Sequence, residues 1–172
     1  MAREQDFFEL AQEILEESIV KLFEANGVQL QQTSSVEYDD TESMAGVIGF
    51  TGDQMRGTLV LTCSGALVEE GDGRADQRDW IGEMSNQLIG RIKNRFLAYG
   101  ITIWISTPVA LRGFKLELIA DSNNEAAVRK TFSCPGGGAV AFFDAELVDG
   151  FKLQEASEEA EESQEEGELI LF

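Results

Sequence analysis

The sequence predicts an α+β domain, on three observations. Two stretches, about Gln5 to Ala25 and Asp79 to Ala98, keep the i, i+3, i+4 apolar rhythm of amphipathic helices. Between them, two β-rich runs flank a turn carrying Gly and Asp, the signature of a hairpin. The last third reads as a meander of strands separated by Asp121-Ser122-Asn123-Asn124 and Pro135-Gly136-Gly137-Gly138.

Size and charge bound the answer further. The 172 residues suit one domain, expected over residues 1–150, followed by an acidic tail over 151–172. A hydrophobic fraction of 43% is enough for a proper core. The chain has no His, which excludes a His-based triad, His acid/base work and His-ligated metal. Its two cysteines, Cys63 and Cys134, have no C-x-x-C spacing and sit in apolar contexts, so they read as buried thiols. A net charge of −19 counts against nucleic acid and anionic membrane as partners. The polar, acidic N-terminus and the lack of any long apolar run point to a cytoplasmic protein.

In chain order, Phe7, Ala11, Ile14, Leu15, Ser18, Leu22 and Phe23 line one side of the first helix, with Glu9, Glu13, Glu16 and Glu17 outside. Asn26-Gly27 is its stop. Val28 to Tyr38 is a polar, edge-type strand. Met44 to Phe50 and Thr58 to Cys63 are the hairpin strands, joined through Thr51 to Gly57. That turn lacks the Gly-Lys-Ser/Thr ending of a phosphate-binding loop and reads as structural. Ser64 to Arg78 is a polar connection, and Asp76 or Asp79 caps the next helix.

After that helix stops at Gly100, Ile101 to Ser106 is a β-branched strand ended by Thr107-Pro108, and Val109 to Gly113 resumes an edge. Phe114 to Ala120 is a strand with Phe114, Leu116 and Leu118 on one face. Ala126 to Cys134 returns, a loose glycine hairpin follows, and Ala139 to Val148 is the last strand. Glu155 to Glu166 has no apolar periodicity and repels itself, so it is a disordered tail or a helix only when packed. Leu169 to Phe172 is either a small docking peptide, a strand added to the domain's own sheet, or without a role.

The second helix carries the candidate site. Ile81, Met84, Leu88, Ile89, Ile92 and Phe96 form its apolar stripe. Glu83, Asn86 and Gly90 fall together on the opposite side, the carboxylate and the amide about 60° apart. Gly82 and Gly90 each cost about 1 kcal/mol relative to Ala inside a helix. A solvated face gains nothing from that cost, whereas a face closely approached by another molecule does. Spacing alone leaves Glu83 and Asn86 as ordinary surface polar residues.

Three features occur in an informative order: Gly49-Phe50-Thr51-Gly52-Asp53 with Gly57, then Gly82-Glu83-Met84-Ser85-Asn86 with Ile89-Gly90, then Ile105-Ser106-Thr107-Pro108-Val109 closed by Gly113. Together they resemble the CheX branch of the CheC/CheX/FliY chemotaxis phosphatases, over roughly Gln5 to Val148. The connection from Ser64 to Arg78 is shorter than the helical segment that family usually carries there.

The resemblance implies a CheC/CheX-like α+β fold, long helices packed on one face of an antiparallel sheet, and a homodimer joined through the sheet. It implies a phosphatase for the aspartyl phosphate of a phosphorylated CheY-like response regulator, with Glu83 and Asn86 as the catalytic residues. Glu83 then pairs with the regulator's lysine, and Gly82, Gln87 and Gly90 are contacts for the partner. No cofactor is bound by this chain, because the regulator supplies Mg²⁺. Elementary chemistry points the same way for Asn86. A neutral amide accepts from a water and donates to a phosphoryl oxygen without the repulsion a carboxylate meets. The alternative is a non-catalytic CheX-like adaptor that binds a receiver domain or a motor-switch component.

Overall fold

The structure is a computed structural model that describes residues 2–35, 42–70, 77–116, 118–119 and 127–157. Its first helix, α1, spans Ala2–Ala25 and ends as the sequence predicts. Asn26 donates from its side chain to the Leu22 carbonyl at 2.8 Å, and Gly27 takes the left-handed conformation at φ 78°. The hairpin that follows is longer and tighter than expected. Strand β2 covers Glu42–Thr51 and β3 covers Met55–Ser64, and the Gly52 amide donates to the Met55 carbonyl at 2.7 Å. Gly57 faces Phe50 across this pair, and a Cβ there would press on the Phe50 ring. Phe50 is thereby free to stack on Phe143, with ring centroids 5.0 Å apart.

The connection after β3 is not simply polar loop. It begins with a short helix, α2, over Gly65–Glu70, anchored by the fully buried Leu67. Helix α3 spans Gln77–Leu97, with Asp79 in its first turn and Gly100 at φ 69° beyond its end. The Asp76 alternative for its cap lies outside the described residues.

The remaining strands are β4 (Trp104–Ile105), β5 (Val109–Phe114), β6 (Val128–Cys134) and β7 (Gly137–Leu147), with β1 (Gln31–Gln32) inside the polar strand expected over Val28 to Tyr38, of which positions 36–38 lie outside the described residues. They form one antiparallel sheet in the order β1-β6-β7-β3-β2, and β4 and β5 both pair with β2 along its other side. Helices α1 and α3 lie side by side on one face, α1 over β6 and β7, α3 over β2, β3 and β5. This is the α+β arrangement of long helices on one face of an antiparallel sheet. Phe7, Phe23, Phe96, Phe132 and Phe143 are fully buried in the layer between helices and sheet. No helix among the described residues is long and apolar enough to cross a membrane.

Several strand expectations are corrected. Of Ile101 to Ser106 only Trp104 and Ile105 pair in the sheet; Ile101 and Ile103 are fully buried, because here the alternation serves the core rather than a ladder. The expected strand from Phe114 stops at once. At Lys115 the backbone turns left-handed, φ 49°, so Phe114 stays on the helix side while Leu116 and Leu118 fold under the other face. The glycine hairpin is tight rather than loose: Pro135 and Gly136 make the turn, Gly136 at φ 86°, and Cys134 pairs directly with Gly137. The turn at 121–124 lies outside the described residues.

Past Gly150, Phe151 packs edge-on against Phe7 at 5.3 Å, and the Ser157 amide donates to the Ala98 carbonyl at 2.9 Å. Residues 158–172, with most of the acidic tail and the final Leu-Ile-Leu-Phe, lie outside the described residues.

Candidate active site

Helix α3 is held by its apolar side. Ile81, Met84, Leu88, Ile89, Ile92 and Phe96 are all buried, as the periodicity predicts. Ser85 is buried among them, and its hydroxyl donates to the Ile81 carbonyl at 2.7 Å. With one side fixed in the core, the opposite side is presented rigidly outward. Glu83 and Gln87 are exposed there, and Asn86, Gly82 and Gly90 are half-buried.

These residues are engaged to different degrees. Gln87 donates from Nε2 to Glu83 Oε1 at 2.7 Å, one turn along the helix, and the second carboxylate oxygen has no partner among the described residues. The Asn86 side chain makes no hydrogen bond with another described residue. Gly90 has open space where a Cβ would stand, and at Gly82 a Cβ would meet only Pro108, at an ordinary 3.9 Å. Neither helical glycine is required by packing among the described residues.

The three sequence features converge at this point. Ser106 clasps the hairpin in both directions: its amide donates to the Gly49 carbonyl at 2.9 Å, and the Gly49 amide donates to its hydroxyl at 3.0 Å. The hydroxyl gives the Gly49 amide an acceptor where the ladder lapses between β4 and β5. The clasp holds Pro108 beside Gly82, so the Ser106–Pro108 stretch forms a rim along the site side of α3.

The basic residues just beyond the site, Arg91, Lys93 and Arg95, divide. Arg95 is taken by α1, donating to Glu17 at 2.7 Å, so it serves the helix–helix contact. Arg91 and Lys93 pair with no acid among the described residues. No group of His, Cys, Asp or Glu among the described residues is placed to hold a metal ion. Burial, and secondarily the neighbouring Cys134, pushes the Cys63 thiol far up, so it stays protonated and unreactive.

Sequence reasoning missed Gly46 and Ser85. Gly46, in the middle of β2, faces α3, and a Cβ there would collide with Ser85 Oγ. The signal was present: a serine inside the apolar stripe and a glycine inside a β-rich run.

A family model, Chemotaxis phosphatase CheX, matches residues 44–133, just over half of the chain and the stretch that holds the hairpin, the helix and the rim. Among solved structures, the chemotaxis protein CheX from Vibrio vulnificus is 19% identical with a TM-score of 0.66, covering 77% of this chain and 93% of that one. The CheX of a CheX–CheY–BeF3–Mg²⁺ complex from Borrelia burgdorferi is 14% identical with a TM-score of 0.59, covering 78% and 96%. FliY from Thermotoga maritima is 16% identical with a TM-score of 0.51, covering 96% of each chain. At these identities the structures speak for a shared fold. No curated protein sequence matches the chain significantly. The family match, over the residues that build the site, makes this chain a member of the chemotaxis phosphatase CheX family.

Proposed function

We propose that this chain accelerates hydrolysis of the aspartyl phosphate on a CheY-like response regulator in the cytoplasm, with Asn86 positioning the attacking water and Glu83 pairing with the regulator's lysine. The observation that carries the reading is the pairing of an Asn86 amide without a partner among the described residues with an exposed Glu83 on the outward side of a core-anchored helix. In the in-line reaction, the water oxygen bonds to phosphorus as the bond to the aspartate oxygen breaks, and inorganic phosphate leaves with the water's protons. The regulator contributes Mg²⁺ and its lysine, which neutralise the phosphoryl charge. This chain contributes position. The Asn86 carbonyl accepts from the water while its amide donates to a phosphoryl oxygen, and neither contact adds negative charge beside the phosphoryl group. Gln87 holds one Glu83 oxygen, so the carboxylate meets the lysine with the other. Gly90 leaves room for the regulator's backbone beside the helix, and Gly82 meets it at the edge beside Pro108.

The test is phosphate release from a phosphorylated receiver with and without the protein. A several-fold acceleration or more is expected; no acceleration with any cognate receiver would leave the adaptor reading in its place. Glu83→Lys sets like charges against each other at the regulator's lysine and is expected to abolish binding to a BeF3-activated receiver. Unchanged affinity would overturn the docking geometry.

A homodimer joined through the sheet belongs to the same proposal. Its support is β5, which among the described residues pairs only with β2 and exposes Val109, Leu111 and Phe114 at 58, 46 and 66%. An unpaired edge lined with large apolar side chains is a surface that other proteins cover. Light scattering at micromolar concentration is expected to give twice the mass of one chain, and a monomer mass would remove this part.

A further inference from the structure

Helix α3 rests on the sheet at an unusually close point. Gly46 lies in β2, opposite Leu61 of β3 and Ala110 of β5, and its helix-facing side is filled by Ser85. A Cβ at position 46 would collide with the Ser85 hydroxyl and would stand 2.9 Å from Ser85 Cβ and 3.0 Å from the Ile81 carbonyl oxygen. Real Cβ atoms do not come as close as the two Ser85 atoms would stand, whereas the carbonyl contact is tight but relieved by a shift of a few tenths of an ångström. Ser85 is therefore a peg in the hole that Gly46 leaves. The peg is itself fixed, because its hydroxyl donates to the Ile81 carbonyl and the residue is fully buried. It sits two residues after Glu83 and one before Asn86, pointing inward where they point outward.

We propose that Ser85 and Gly46 are positioning residues for the reaction assigned above: the peg sets the height and register of α3 on β2, and so the place of Asn86 relative to the Ser106–Pro108 rim. The inference rests on the phosphatase reading of the site. α1 lies on the same sheet face through large side chains such as Ile14, Leu15 and Leu22, an adjustable contact. The Ser85 contact admits little such adjustment, because a backbone carbonyl and a strand face each other across one side chain's width. The demand also falls where position matters most. Misplacing a reacting group by about 1 Å costs roughly a hundredfold in rate. A salt bridge such as that proposed for Glu83 tolerates the same shift, since a long side chain re-extends.

The experiment measures kcat and KM for receiver dephosphorylation in three variants of the full chain, beside thermal melts. Gly46→Ala lifts α3, with kcat expected to fall at least about tenfold and KM to stay within about threefold. Gly46→Ala combined with Ser85→Gly moves the lost volume from helix to strand and is expected to restore most of kcat. A merely structural role predicts the reverse, since the second change adds another glycine inside the helix and lowers stability further. Should Gly46→Ala fail to fold, Ser85→Ala removes only the hydroxyl and is expected to lower kcat about threefold to tenfold at constant KM.

A folded Gly46→Ala protein with unaltered kcat, or a double variant no better than the single one, overturns the proposal. A crystal structure of Gly46→Ala gives a readout free of activity: α3 displaced from β2 at Ile81 to Ser85 is expected, and an unmoved helix is fatal to the idea. If the unmodified protein fails to accelerate dephosphorylation, the phosphatase reading falls by itself, and the structural readout still decides whether the peg sets the helix.

Discussion

The two long helices lie on the same sheet face, yet they are built differently. α1 has no glycine inside it, buries Phe7, Ile14, Leu15, Ile19, Leu22 and Phe23, and uses its polar side for surface ion pairs, Glu16 with Lys130 and Glu17 with Arg95, each at 2.7 Å. α3 carries two glycines, Gly90 with open space over it and Gly82 meeting only Pro108, and an amide on its outer side with no partner among the described residues, while each helix buries one serine, Ser18 in α1 and Ser85 in α3. The described contacts of α1 serve stability. In α3 several residues work against it, since each interior glycine costs about 1 kcal/mol that no packing among the described residues recovers. Such local inconsistency is where function is expected to show.

The contrast breaks most visibly at Asn86. Asn86→Ala is expected to slow receiver dephosphorylation roughly a hundredfold, about 3 kcal/mol, with the melting temperature and receiver affinity unchanged. Full activity in that variant would remove Asn86 from the mechanism. Its counterpart in α1 is Leu22→Ala, fully buried against the sheet layer. Denaturant titration is expected to show a loss of about 2–5 kcal/mol, while the folded fraction keeps its rate. A variant of α1 that lost activity but not stability would erase the distinction between the helices.

Gly90→Ala sharpens the comparison through opposed signs. Helix propensity predicts a gain of about 1 kcal/mol in stability, because nothing stands near the added methyl group. Close approach of the regulator predicts weaker binding to a BeF3-activated receiver, measured by titration. Improved stability with unchanged affinity would return Gly90 to the solvated surface. The smallest effect belongs to α1's ion pair. Glu17→Ala, whose carboxylate is half exposed, is expected to cost at most about 1 kcal/mol, and less in high salt.

Much of this was legible in the residues. The apolar stripe of α3, the stop of α1 at Asn26-Gly27, the hairpin and the return strands β6 and β7 follow from periodicity and turn chemistry, which are local. Where reading failed, the cause was tertiary. The alternation of Ile101 to Ser106 is real, but burial of Ile101 and Ile103 fills the core beneath a ladder only two residues long. Phe114, Leu116 and Leu118 keep a strand's spacing, yet the left-handed turn at Lys115 sends them to different faces. The short helix α2 hid in a stretch that looked polar, although Leu67 within it is fully buried.

The sequence by itself determined which side of α3 faces the core, and therefore that Glu83, Asn86 and Gly90 face away from it. A period of 3.6 residues leaves no other choice once the apolar positions are known. Only the tertiary structure decided what stands beside that outward side. The Ser106 clasp on Gly49, the rim at Pro108 and the peg of Ser85 over Gly46 join residues between 26 and 57 positions apart in the chain. No local pattern encodes such distances; they follow from which strands pair and how closely a helix can lie on them.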